Sequence, residues 1–254
     1  ASPLRAGAFS PADPTLLCTL SQTLVLWAED TASSSGVGSD APTLESHEVG
    51  LLDTAGAAHG WSCVCWAAPR VVYAGTDAGS LVRAEHAGEG AGAAVAVALA
   101  AAASDAIIGA SAGEAHLLIA CRGGALCWYS LEALSDADPG ALAAPLFSLA
   151  LGFSPACMVA SPSGSAFLCI SADGSLARLV CAHAPLPLEP LDDARLAEYV
   201  SSAEVPTLAA PRFERLALVA LAADASKACE LVGIGADGVL CCLDPGSLAV
   251  VARA

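Results

Sequence analysis

Cys63 and Cys65 stand two residues apart in the apolar run WSCVCW. Alternation along a strand would place both thiols on one face together with Trp61. Two thiolates on one face are half of a zinc site, which needs two further ligands at suitable spacing. No Cys-x-x-Cys pair occurs, and Cys121 and Cys127 stand too far apart along their segment to form a knuckle. Cysteines in the hydrophobic core are the plainer reading, because a thiol without a partner behaves as a small hydrophobe. Cys181 and His183 form a second candidate, a nucleophile and its base, with Asp192 and Asp193 nearby in sequence. Such a pair requires a polar, partly exposed setting and an orienting acid. Its neighbours here are Val180, Ala182, Pro185 and Pro187, which argue for a strand exit instead.

Asp77, Asp173 and Asp237 recur before turn glycines. At that position a carboxylate is expected to cap its own turn, so the three read as repeat chemistry and not as an acid–base pair. GAGAAVA (90–96) lacks the Lys-Ser/Thr of a phosphate loop. His47, His59, His86 and His116 are isolated from one another. No catalytic, cofactor-binding or metal-binding residue is therefore expected, no cofactor is implied, and the chain reads as a non-enzyme.

These residues owe their positions to a repeat. VVYAGTDAGSLV (71–82), HLLIACRGGALCWY (116–129), AFLCISADGSLARL (166–179) and CELVGIGADGVLCCL (229–243) each run apolar, turn at glycine and run apolar again. A degenerate copy, TLLCTLSQTLVLWAED, occupies 15–30. Asp-Gly and Gly-Gly supply the positive φ of a tight hairpin at little steric cost. The anchoring glycines, Gly79, Gly124, Gly174 and Gly238, are 45, 50 and 64 residues apart. One hairpin per unit, at a period of about 40–50 residues, predicts the blades of an all-β propeller.

About five blades are expected, in units covering 9–30, 60–85, 95–132, 146–182 and 213–251. In domain terms, 1–30 reads as the end of a preceding blade and 31–59 as a polar loop and connecting strand. Residues 60–254 read as further blades, with a long connector at 184–212 that carries a short helix from Asp192 to Ser201, capped by its leading acids. Residues 247–251 read as the first strand of another blade. Five units are few for a closed ring of six to eight, so the chain is expected to be part of a larger propeller array, or else a six-bladed propeller with one degraded blade.

Composition bounds the partners. The 254 residues are 56% hydrophobic and carry one lysine, nine arginines and 26 acids, for a net charge of −16. Phosphate backbones and anionic membranes need clustered Lys and Arg, so neither nucleic acid nor membrane is an expected partner. A basic protein surface is. The alanine-rich run at 91–103 is too short for a membrane helix and predicts a buried strand followed by a small-residue loop. Eleven cysteines, an odd number in a long chain, disfavour a disulfide scaffold and suggest a reducing, intracellular compartment. No signal peptide is evident.

The order of the blade variants carries a resemblance. FSPADPTLLCTLSQTLVLWAED (9–30) is followed by HGWSCVCWAAPRVVYAGTDAGSLV (59–82) and AVALAAAASDAIIGASAGEAHLLIACRGGALCWYSLE (96–132). FSLALGFSPACMVASPSGSAFLCISADGSLARL (147–179) comes next. This succession resembles the cilia- and flagella-associated WD-repeat proteins of the inner-arm dynein tether and tether-head group. It departs from the Trp-Asp signature, since Trp27 is followed by Ala28 and Trp128 by Tyr129. The resemblance implies a WD40-like propeller that acts as a structural scaffold of the motile cilium axoneme, links inner-arm dynein to the doublet microtubule and regulates beating. It also implies a paralogous propeller protein and inner-arm dynein subunits as partners in a hetero-oligomeric assembly, located in the cytoplasm, on the cytoskeleton of the cilium or flagellum. The alternatives are a cytosolic propeller adaptor of a coat, trafficking or ubiquitin-ligase complex and, last, an enzyme using Cys181 and His183.

Overall fold

The computed structural model describes residues 6–10, 13, 15–21, 23–29, 44–49, 60–86, 91–99, 105–136, 142–160, 166–171, 176–182, 186–204, 213–219, 230–235, 239–243 and 250–253. Their strands form five sheets. The first runs β1 (Ala6–Phe9), β2 (Leu16–Leu20), β3 (Leu24–Glu29) and β4 (Leu44–Val49) in sequence order, each strand antiparallel to the next. The second contains β5 (Trp61–Ala68), β6 (Val71–Thr76), β7 (Leu81–His86) and β8 (Ala91–Leu99), again antiparallel. The third takes β9 (Ile107–Ala112), β10 (His116–Cys121) and β11 (Ala125–Ser130). After helix α1 (Leu131–Ser135), the two-residue β12 (Leu142–Ala143) pairs parallel with the outer edge of β8, and β13 (Phe147–Ala150) completes the third sheet beside β11.

The fourth sheet is β14 (Pro155–Ala160), β15 (Ala166–Ser171), β16 (Leu176–Ala182) and, after helix α2 (Asp193–Tyr199), β17 (Val200–Glu204). The fifth is β18 (Phe213–Val219), β19 (Glu230–Gly235), β20 (Leu240–Leu243) and β21 (Val250–Arg253). The chain divides into two compact units, one of residues 1–119 and 128–145, the other of residues 120–127 and 146–254. Within the first unit, β1 packs on β5 and β5 on β9; within the second, β14 packs on β18. Within each unit, leading strand thus lies against leading strand.

The five sheets match the number of repeats, but the strand assignment is offset by one. Residues 91–99 close the second sheet and do not open the third unit, and 147–150 close the third sheet and do not open the fourth. Val200–Glu204, expected to lie in a connector, is the outer strand of the fourth sheet. Val250–Arg253 pairs with β20 as the last strand of the fifth sheet and starts no further blade. In each case the outermost strand has only one hydrogen-bonded neighbour over most of its length, so it does not need the two-sided apolar pattern by which a strand is recognised.

The core of the first unit shows how sequence sets this packing. Leu16, Cys18 and Leu20 of β2 and Leu24 and Leu26 of β3 meet Trp61, Trp66, Val72, Ala74, Val82 and Ala84 of the second sheet in one buried cluster. Trp66 donates its indole N–H to the Ala8 carbonyl at 2.8 Å, so a buried polar atom ties the two sheets. Ser10 and Asp13, between β1 and β2, are held by side-chain bonds as well. Ser10 is buried and donates its hydroxyl to the Pro69 carbonyl at 3.1 Å. Asp13 accepts from the Thr15 amide at 3.1 Å and from the Thr15 hydroxyl, bonds that hold its carboxyl below the ordinary aspartate range.

Candidate functional site

The cysteine pair was expected on one face with Trp61, and the structure corrects that. Trp61 pairs with Thr76 while Cys63 pairs with Gly75, so Ser62 is an extra residue and the register shifts between them. A bulge reverses the alternation on one side of it. Trp61 therefore joins Trp66 in the core shared with the first sheet, while Cys63 and Cys65 face β9. Cys65 is half-buried as a residue, yet its sulfur is enclosed; burial first, then the neighbouring Cys63 and Cys18, push its thiol up. Burial pushes the Cys18 thiol from 9.0 to about 12. Such thiols are packing groups and not nucleophiles.

Cys18 gives a direct check. Its native pKa lies above the unfolded one, so its contribution to stability is intact below pH 9.0 and declines as pH rises from there toward about 12. Iodoacetamide at pH about 8 is expected to leave Cys18 unmodified in the native chain and to alkylate it fully in urea. Alkylation of the native chain at the rate of an exposed thiol would contradict the packing.

Cys63, Cys65, Cys121, Cys127, Cys157, Cys169 and Cys241 also carry thiols. Among the described residues, no group of three or more His, Cys, Asp or Glu is placed to hold a metal ion. Cys181 lies in β16 opposite Ala166 and Ser201. His183 falls outside the described residues, as do His59, Asp173 and Asp237. Asp192 accepts from the Arg195 amide at 2.9 Å as the N-cap of α2, which is the role its position predicts, and Asp193 is exposed in the first turn. His47 lies in β4, His86 is buried at the end of β7, and His116 begins β10 half-buried.

Asp77 does not cap its own turn. Thr76 does that: its hydroxyl donates to the Ser80 carbonyl at 3.1 Å and accepts from the Ser80 amide at 2.9 Å. Asp77 instead accepts from the Gly60 amide at 3.0 Å, and its own amide donates to the Gly60 carbonyl at 2.9 Å. The pair clamps the start of β5 to the turn after β6. Asp77→Ala is expected to lower stability by about 0.5–1 kcal/mol, and Asp77→Asn, which keeps an acceptor, by much less. Urea midpoints measure both, and equal midpoints would remove the clamp.

A groove of about 250 Å³ lies beside α1. Tyr129 and Ser130 from the end of β11, Ala133 and Leu134 from α1, and Leu142 to Ala144 line it. Ser130 caps α1, its hydroxyl accepting from the Ala133 amide at 3.2 Å, which fixes the helix wall. Leu134 is buried beneath, while Leu142 is 65% exposed at the rim. Phe9, at the end of edge strand β1, is 66% exposed. Sequence reasoning missed both apolar residues, because exposure of one residue in an apolar segment leaves no mark in the pattern. The groove has apolar walls and little convergent polar chemistry; it is suited to contact and not to bond making.

No family model matches the chain, and no curated protein matches it. Among solved structures it is similar to the β-propeller domain of Cps50 (Swd1) from Myceliophteria thermophila. That match has 13% identity over 93% of this chain and 68% of that one, with a TM-score of 0.58. It is similar as well to the WD40 β-propeller domain of Doa1, at 12% identity over 99% of this chain and 68% of that one, with a TM-score of 0.57. At these identities the likeness is one of fold. The fold is that of an all-β, WD40-like β-propeller, as the repeat predicts.

Proposed function

We propose that this chain is a non-enzymatic protein-interaction scaffold and, more closely, a WD-repeat component of the motile cilium axoneme that links inner-arm dynein to the doublet microtubule and regulates beating. The observation that carries the scaffold reading is how the described candidates for chemistry are used. Asp77 clamps a strand end, Asp192 caps a helix, and Cys18, Cys63 and Cys65 fill the spaces between sheets. Exposed apolar side chains at Phe9, Leu142 and Leu188 offer surface for recognition on a chain of net charge −16. Such a surface favours basic partners over acidic ones. The axonemal reading rests on the order of blade variants across 9–179. Tubulin surfaces are acidic, so the grip of this chain is on a paralogous propeller protein or a basic patch of a dynein subunit.

Affinity capture with the tagged chain from axonemal extract tests this. Inner-arm dynein subunits and a paralogous propeller protein should be retained at low salt and released as salt rises, as charge-steered contacts are. Consistent recovery of coat, trafficking or ubiquitin-ligase subunits from whole-cell extract, with no axonemal component, would replace the ciliary reading with that of a cytosolic adaptor. Loss of every partner would count against the scaffold itself.

A further inference from the structure

On the face of the second sheet opposite the tryptophan core, Tyr73 and Arg83 are direct cross-strand partners. Tyr73 is fully buried, and its hydroxyl makes no hydrogen bond among the described residues. The Nε of Arg83 is likewise buried without an acceptor, while its Nη2 donates to half-exposed Glu85 at 3.2 Å. Buried donors of this kind are uncommon and call for an acceptor. Near the Tyr73 phenol is Ser135, the exposed last residue of α1. Its side chain lies close enough to the Tyr73 phenol to offset in part the upward push of burial on that group. Tyr73 and Arg83 thus present two unmet donors side by side, and the exposed Ser135 hydroxyl is close to the first of them.

The sequence around that hydroxyl is LEALSDAD, with acids one and three residues after Ser135 and three before it. No Lys or Arg occurs between Arg122 and Arg178. A kinase that reads basic residues finds nothing here, whereas one with a basic substrate groove finds its recognition pattern. We propose that Ser135 is a phospho-acceptor for an acid-directed serine kinase, and that Arg83 and Tyr73 form the receptor for its phosphate. In the transfer, the Ser135 oxygen attacks the γ-phosphorus of a nucleoside triphosphate. The new O–P bond forms as the bond to the β-phosphate oxygen breaks. The hydroxyl proton passes to the base of the kinase, and the nucleoside diphosphate leaves.

The product carries a charge of about −1.5 to −2 and three strong acceptor oxygens. Those oxygens satisfy the Arg83 Nε–H and the Tyr73 O–H, and they compete for the rest of the guanidinium with Glu85, whose exposure lets it swing into water. Glu132 and Asp136 oppose the new charge, but both are exposed and screened, while the two donors are not. Phosphate would therefore pin α1, and with it the Ala133–Leu134 wall of the groove, to the second sheet.

The test has two arms. The 254-residue chain is treated with ATP and a purified acid-directed serine kinase, and incorporation is mapped by mass spectrometry. Phosphate on Ser135, absent in Ser135→Ala, is expected; phosphate only at other serines overturns the proposal. In the second arm, phosphoserine is installed at 135 by codon suppression and followed by ³¹P titration. Its midpoint is expected about a unit below the ordinary value of about 6. It should return to that value in Arg83→Gln, and part of the way in Tyr73→Phe and Arg83→Lys. The lysine variant keeps the charge should the glutamine variant fail to fold. An ordinary midpoint, unmoved by any of the three, shows a phosphate standing in solvent and overturns the receptor.

Discussion

Replacing Gly75 with valine is expected to destabilise the chain by about 3 kcal/mol, the upper part of the usual range for overpacking. Gly75 lies near the end of β6, an inner strand of the second sheet, and faces Ile107 of β9 in the third. A Cβ there would stand 2.6 Å from Cγ2 and 2.8 Å from Cβ of Ile107, and 2.9 Å from the sulfur of Cys63. None of these is the loose end of a flexible chain, since Ile107 is branched and fully buried. Relief therefore requires the sheets to separate. Urea midpoints for Gly75→Ala and Gly75→Val should fall in that order, and Ile107→Ala, which removes one colliding atom, should recover part of the loss. A valine variant as stable as the parent would mean that the sheets are not in contact at this point.

Gly124→Ala should cost about 2–3 kcal/mol, well above Gly152→Ala at about 1 kcal/mol. Both glycines hold positive φ, 95° at Gly124 and 77° at Gly152. A side chain pays conformational strain at either, and this shared part cancels in the comparison. The surroundings differ. A Cβ on Gly124 would meet the Phe153 carbonyl oxygen at 2.6 Å, whereas one on Gly152 meets nothing within 4 Å. Gly124 also accepts from the Leu151 amide at 2.8 Å, so its backbone cannot retreat without losing that bond. Thermal unfolding of the two variants in parallel isolates the carbonyl collision, and equal shifts would refute it.

The hairpins were legible because two-sided burial writes a continuous apolar run and the turn demands a particular residue. Gly79 and Gly124 adopt the positive φ their positions imply. Asp192 caps α2 as its place before an amphiphilic segment suggests. The place of the outer strands in the sheets was not legible. The strand expected in the alanine-rich run is there as AGAAVAVAL but closes the second sheet, VSSAE reads in sequence as connector, and these share no pattern with LESHEV or with one another. The bulge at Ser62 was equally hidden, because a single unpaired residue changes faces without changing composition, and it overturned the grouping of Trp61 with Cys63 and Cys65. Asp77 shows a third kind of limit. Its place before the glycine suggested a local bond, but Thr76 already closes that turn, which leaves the carboxylate for a strand start 17 residues upstream. The groove beside α1 depends on where a helix and a two-residue strand come to rest, which local sequence does not encode.

That two-residue strand bears on the order in which the chain is made. Leu142 and Ala143 complete the edge of a sheet whose other strands end at Leu99, and the hairpin of β10 and β11 lies between them in sequence. As the chain leaves the ribosome at about 5–20 residues per second, the second sheet is exposed along this margin for several seconds before β12 arrives. Edges left open invite pairing with other chains. Aggregation during synthesis should therefore be most sensitive to changes in the 42 residues from 100 to 141, whose length sets that delay.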